Sequence, residues 1–94
     1  MKFKYNFIEK KLWRIEEDYL YEICEDNYFH TPQGIYGSEG WSLGNQEEII
    51  FTFSHSCLKI YYRIGIVAYQ KTLDLPPNGE TIFEFTEQDY LNSS

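Results

Sequence analysis

The sequence is poor in cysteine, lacks a long apolar run, and has no lysine or arginine across almost half of its length. Its 94 residues include only Cys24 and Cys57, so we expect two reduced thiols rather than a disulfide framework. The longest apolar run, from Ile64 to Tyr69, is far shorter than the about 20 residues that a membrane-spanning helix needs. The opening stretch MKFKYNF lacks the apolar segment of a signal peptide. These absences predict a soluble, cytoplasmic protein.

Charge is unevenly distributed along the chain, whose net charge is −7. Residues 1–14 carry five basic side chains against one carboxylate, whereas residues 15–58 carry nine carboxylates and no lysine or arginine. Such an acidic zone argues against direct nucleic-acid binding and against an anionic membrane surface, because both require lysine and arginine. It favours a basic protein partner, since complementary charge accelerates association.

The N-terminal quarter shows two hydrophobic periods in succession. Lys2 to Phe7 alternates apolar and polar residues, which predicts a short strand with one buried face. A helical spacing then predicts an amphipathic helix near residues 7–25, with Asn6 and Glu9 placed as a capping box. The apolar positions of that helix are Ile8, Leu12, Ile15, Tyr19 and Ile23.

The charge order on this predicted helix is the reverse of the favourable one. Its basic residues come first and its acidic residues last, whereas a helix dipole favours anions at the N-terminus and cations at the C-terminus. Two interpretations follow: the acidic residues serve another purpose, or the cost of surface charge is simply tolerated.

The remainder of the chain reads mainly as strands and turns. Residues 27–46 look loop-like, and Gly65 is expected to mark a bulge or bend in a long strand. Thr86 and Asp89 are spaced to cap a final turn that holds Tyr90 and Leu91. The predicted pieces are short strands or anchors at 35–36 and 41–43, strands at 48–53, 57–72 and 80–86, and a turn at 74–79.

Together these elements predict a single domain over residues 1–94 with an α+β fold: one amphipathic helix packed on a small antiparallel sheet in two layers. The N-terminal strand is expected at an edge of that sheet. An all-β alternative remains open, because Leu12 to Ile15 also alternates in polarity.

No motif predicts catalysis. Cys24, His30, His55 and Cys57 are suitable zinc ligands, but their spacing does not match a compact zinc motif. His55 and Cys57 lack a third orienting group, and neither a P-loop nor a G-x-G-x-x-G motif is present. We therefore expect no enzymatic activity, no metal and no cofactor.

The acidic zone also contains aromatic residues, which supply the contact area that carboxylates lack. One interpretation is a solvated surface that keeps the protein soluble. The other is a surface that docks on a basic partner, although Trp41 also suits a residue that closes the core. The predicted partner-binding residues are Asp18, Tyr21, Glu22, Glu25, Asp26, Tyr28, Glu39, Trp41, Glu47 and Glu48.

A small acidic protein of this kind suits an inhibitor of a basic nucleic-acid-processing protein. Its size and charge resemble those of bacterial immunity proteins that neutralise a nuclease toxin. A phage-type inhibitor that mimics nucleic acid and blocks a defence nuclease would use the same physics. A third hypothesis is a structural, self-assembling subunit, for example a homodimer, in which the acid only keeps the chain soluble.

Overall fold

The computed structural model describes residues 1–31 and 38–91, and nearly all of the regular structure there is β-strand. Two 3₁₀ turns, Glu25–Asn27 and Glu87–Asp89, complete it. The strands, numbered β1 to β9 in chain order, are Lys2–Asn6, Lys11–Glu16, Tyr19–Glu22, Tyr28–Thr31, Ser38–Gly44, Glu47–Phe53, Cys57–Ile64, Val67–Asp74 and Glu80–Glu84.

The strands form two antiparallel sheets. The first sheet has the order β3-β2-β1-β9, and the second has the order β4-β5-β6-β7-β8. Sequence neighbours within a sheet are joined mostly by tight hairpins, and the chain passes from the first sheet to the second after β3 and returns after β8. This order places β3 at one edge of the first sheet and β9 at the other.

The two sheets pack face to face around one aromatic core. On the first sheet, alternation along β1 and β2 turns Phe3, Tyr5 and Leu12 inward, where each is fully buried. The ring of Tyr5 stacks on Phe51 of the second sheet with 3.7 Å between ring centroids, and Phe3 contacts Tyr62 at 5.6 Å. Large rings let a chain of this length remove enough apolar area from water to hold two sheets together.

The predicted α+β fold is wrong. The described residues contain no α-helix, and the stretch 7–25 forms β2, β3 and two turns instead. Residues Ile8 and Tyr19, which the helical spacing placed on the buried stripe, are 68% and 67% exposed. The all-β alternative, based on the alternation of Leu12 to Ile15, is the one that the structure supports.

The backbone of this segment departs from a helix at several residues. Lys10, Glu17 and Asp18 have positive φ, which a right-handed helix does not accommodate. The Asn6 side chain accepts hydrogen bonds from the N–H groups of Ile8 and Glu9, but the segment it caps is a turn and not the start of the predicted helix.

Several finer predictions have mixed outcomes. Strands are confirmed close to the predicted positions at 2–6, 47–53 and 80–84, and the capping box of Thr86 and Asp89 holds the final 3₁₀ turn. β1 lies inside its sheet rather than at an edge. The predicted long strand 57–72 is a hairpin that turns at Gly65, and the predicted piece at 35–36 lies outside the described residues.

Among residues 1–31 and 38–91, no helix has the length and apolar character that crossing a bilayer requires.

Candidate protein-binding surface

The hairpin of β2 and β3 ends in a two-residue turn made of carboxylates. Glu17 and Asp18 connect the paired residues Glu16 and Tyr19, and their φ angles are 50° and 70°. Two successive positive φ angles are the mark of a type I′ turn, in which asparagine followed by glycine is the preferred pair. All three carboxylates from Glu16 to Asp18 are exposed, so the tip of this hairpin is strongly acidic.

Every side chain of β3 is exposed, although three of its four residues are large and apolar or aromatic. Tyr19, Leu20 and Tyr21 are 67%, 52% and 53% exposed. Tyr21 lies opposite Arg14 and therefore shares the inner face of the first sheet, whereas Leu20 lies opposite Ile15 on the outer face. The strand thus offers contact area on both faces.

The 3₁₀ turn that follows β3 adds two carboxylates. Glu25 and Asp26 occupy its first turn, and both are exposed. Cys24, which the helix prediction placed on a buried arc, precedes this turn as an exposed free thiol. We call the exposed side chains of residues 16–22, with Glu25 and Asp26, the acidic hairpin surface.

One lysine lies at the border of this surface. The Lys11 Nζ is 3.7 Å from Glu22 Oε1, and both side chains are substantially exposed. An exposed pair of this kind contributes little, typically under about 1 kcal/mol. A cavity of about 230 Å³ adjoins the pair, and it is lined by Lys10, Lys11, Glu22, Ile23, Glu25, Tyr28 and Trp41. Its two lysines and two glutamates leave it without a single dominant charge.

Two of the predicted contact residues are interior. Trp41 is 1% exposed, and its ring packs edge-on against Tyr5 and Phe51. Glu39 lies two residues earlier on β5 and shares the inner face, where its carboxylate accepts hydrogen bonds from the hydroxyl groups of Tyr5 and Tyr28. Burial and the neighbouring Glu39 raise the pKa of Tyr5 far above its ordinary value, which keeps its phenol a donor.

Glu47 and Glu48 are paired with arginines. Arg14 Nη2 donates to Glu47 Oε2 at 2.8 Å, and the hydroxyl group of Tyr62 donates to the same carboxylate. Arg63 Nε donates to Glu48 Oε1 at 3.1 Å. Glu47 therefore joins β6 and β7 of the second sheet to β2 of the first, as Glu39 joins β5 to β1. Glu39 and Glu47 therefore hold the two sheets together, whereas Glu48 binds Arg63 within the second sheet.

The predicted surface of ten residues therefore divides. Its members on the acidic hairpin surface are Asp18, Tyr21, Glu22, Glu25 and Asp26, with the partly buried Tyr28 beside them. The other four side chains are buried or bound to arginine. The predicted set lacks Tyr19 and Leu20, because helical spacing placed them on the buried face, and it also lacks Glu16 and Glu17. Their signal was the polar triplet Glu16 to Asp18 between two apolar segments, which is typical of a hairpin turn.

Cys57 and His30, two of the residues that suit catalysis or metal binding, lie in different parts of the second sheet. Cys57 Sγ lies 2.7 Å from the hydroxyl oxygen of Ser54, its neighbour across the β6–β7 turn, while His30 lies on β4. Within residues 1–31 and 38–91, no three histidine, cysteine, aspartate or glutamate side chains are grouped to hold a metal ion.

Comparison of the chain with protein-family models, with curated proteins and with solved structures finds no match.

Proposed function

We propose that this protein is a small acidic inhibitor that binds and neutralises a basic nucleic-acid-processing protein, as an immunity protein does with a bacterial nuclease toxin. The proposal rests on the acidic hairpin surface, where six carboxylates between residues 16 and 26 flank three exposed apolar or aromatic side chains. It assigns the protein to the cytoplasm, a compartment in which Cys24 and Cys57 stay reduced.

Charge and contact area have separate roles in this proposal. The carboxylates attract the cationic cleft in which a nuclease holds phosphates, and such steering raises association rates to about 10⁸–10⁹ M⁻¹s⁻¹ at low salt. Tyr19, Leu20 and Tyr21 then exclude water from the contact and slow dissociation, because aromatic anchors dominate most interface energies.

The hairpin tip places its two carboxylates on left-handed backbone. Left-handed backbone costs a non-glycine residue about 1–2 kcal/mol, although aspartate tolerates it better than glutamate. Glu17 and Asp18 both adopt it, at a turn where asparagine and glycine relieve the cost. Asn45 and Gln46 adopt the same conformation in the β5–β6 turn without any charge, so the support for a partner comes from the exposed carboxylates and not from the strain.

The test begins with capture of partners from the source organism and identification of each captured protein. The purified partner should be basic, should cut DNA or RNA, and should lose that activity when one equivalent of this protein is added. Capture of no nucleic-acid-processing protein, or capture without inhibition, would refute the proposal.

Two matched variants then locate the charge that matters. The double substitution Asp18→Lys with Glu25→Lys reverses charge on the acidic hairpin surface, and Asp74→Lys with Glu87→Lys makes the same change in net charge elsewhere on exposed positions. We expect the first variant to associate at least about tenfold more slowly at low salt, and the second to associate at the wild-type rate. Equal rates for the two variants contradict the assignment.

Two alternatives use the same observations differently. A phage-type nucleic-acid mimic that blocks a defence nuclease shares the electrostatics, and the gene neighbour separates the cases, since a toxin gene directly upstream supports the immunity protein. A self-assembling subunit is favoured by the exposed apolar side chains of β3. That subunit predicts a homo-oligomer that persists in high salt during size-exclusion chromatography.

A further inference from the structure

We infer that β3 is the docking edge of this protein and that the basic partner adds an extended strand to it. This inference rests on the proposed function and specifies how the partner is bound. A partner strand on this edge lengthens the first sheet by main-chain hydrogen bonds, while its side chains alternate between the two faces.

The pairing of β2 with β3 determines which backbone groups face outward. Ile23 N–H donates to Leu12 C=O at 2.8 Å, so the residues of β3 at odd positions direct their backbone groups toward β2. Antiparallel strands alternate in this respect. Leu20 and Glu22 therefore direct their N–H and C=O groups away from the sheet, and no strand among residues 1–31 and 38–91 pairs with them.

The described edges of the sheets differ in how they are protected. The second sheet has β4 at one edge and β8 at the other, and β8 is covered by residues 90–91, where Leu91 N–H donates to Ala68 C=O and Tyr90 bridges Tyr69. At the far edge of the first sheet, β9 buries Phe83 in the core, and two of its three outer-face residues are glutamates, a charge pattern that natural sheets use against unwanted pairing. β3 instead exposes a run of three large apolar or aromatic residues between its neighbouring carboxylates.

Charge complementarity identifies the occupant as a basic strand. Glu22 stands on the outer face beside Leu20, and the carboxylates of Glu16 to Asp18 lie at the start of the same edge. A strand that alternates basic and apolar residues places its cations on the outer face beside Glu22 and its apolar side chains on the inner face against Tyr19 and Tyr21. A second copy of this chain would bring like charges together at the same edge, which is destabilising.

The experiment uses a peptide of eight residues that alternates lysine and valine, with a glutamate–valine peptide as the charge control. Amide hydrogen exchange of the wild-type protein is followed by NMR. At a peptide concentration about ten times the dissociation constant, the amides of Leu20 and Glu22 should exchange about tenfold more slowly, because only the free protein exchanges there. The amides of Ile82 and Glu84, which occupy the outward positions on β9, should not change.

Three results of the exchange experiment would contradict docking of a basic strand on β3. Unchanged exchange at Leu20 and Glu22 with the bound lysine peptide overturns the edge inference and leaves the proposed function to its own test. No preference for the lysine peptide over the glutamate peptide also overturns it. Slower exchange that follows the protein's own concentration, without peptide, assigns the edge to a second copy instead.

Two proline variants give an independent readout. Leu20→Pro and Ile82→Pro each remove one outward N–H group from an edge of the first sheet, at side chains of similar exposure (52% and 58%). Leu20→Pro should weaken peptide binding about three- to tenfold, as expected for one lost hydrogen bond, while Ile82→Pro should leave it unchanged. The reverse result places the docking edge on β9. If Leu20→Pro does not fold, the wild-type exchange data decide alone.

Discussion

Replacing Asp18 with glycine tests whether the acidic hairpin surface is maintained at the expense of stability. Asp18 is the second residue of the β2–β3 turn and has a φ of 70°. Gln46 is a matched control, because it is the second residue of the β5–β6 turn with a φ of 62° and carries no charge. Neither substitution removes a residue of the core.

Two opposing effects determine how much each glycine substitution raises the free energy of unfolding. Left-handed backbone costs a non-glycine residue about 1–2 kcal/mol, and glycine removes this cost. Glycine also gives the unfolded chain more conformational freedom, which lowers the free energy of unfolding by about 0.5–1 kcal/mol. Both variants should therefore gain about 0.5–1 kcal/mol of unfolding free energy, with Asp18→Gly at the lower end, because aspartate tolerates this conformation better than glutamine does.

Thermal unfolding measures this gain directly. In a domain of about 100 residues, 1 kcal/mol corresponds to about 4–8 °C in Tm. We expect Tm to rise in both variants, while partner association slows only in Asp18→Gly, which loses a carboxylate from the acidic hairpin surface. A Tm that falls in both variants would show that positive φ is not the source of the strain. Equal association rates would show that this carboxylate does not act in steering.

Three further predictions concern the core and the contacts between the sheets. Gly40→Ala should lose about 1–3 kcal/mol in urea unfolding, since a Cβ there would approach Ile49 O to 2.6 Å, and an unchanged midpoint would contradict the packing. Glu47→Gln should cost about 1–3 kcal/mol by the same assay, because it leaves the Arg14 guanidinium without its anion; a neutral result would show that this ion pair does not hold the sheets. Stability should fall as the pH rises above 10, because burial raises the pKa of Tyr5 and Tyr62 in the folded state above the 10.0 of a free tyrosine. Unfolding measured from pH 7 to pH 11 should show this slope, and the double substitution of both tyrosines by phenylalanine should flatten it.

The strands that were predicted correctly have one face in the core and one in solvent. Phe3 and Tyr5 alternate with lysine and asparagine along β1, so the period of two is visible in the sequence. The segment 7–25 misled for a physical reason: its two turns happen to place apolar residues at helical spacing. Its reversed charge order was a genuine sign against a helix, because a helix would have placed its acid at its own negative end.

The burial of Glu39 and Trp41 could not be predicted from the sequence alone. Both lie on the inner face of β5, two residues apart, yet a carboxylate can be buried only where donors meet it. Those donors are the hydroxyl groups of Tyr5 and Tyr28, which come from distant positions in the chain. The exposed part of the acidic zone was recognisable from charge, but the division between its solvated and its interior members depends on strand pairing.

The arginine contact across the two sheets has a consequence for how β3 meets another molecule. Arg14 lies directly opposite Tyr21 in the pairing of β2 with β3, and its guanidinium is fixed to Glu47 on the other sheet. The strand beside the open edge is thereby anchored before any encounter takes place. A preorganised edge loses less conformational entropy on association, so more of the contact energy appears as affinity. Loosening this anchor should weaken an interaction at Tyr21 without altering any atom that a partner touches.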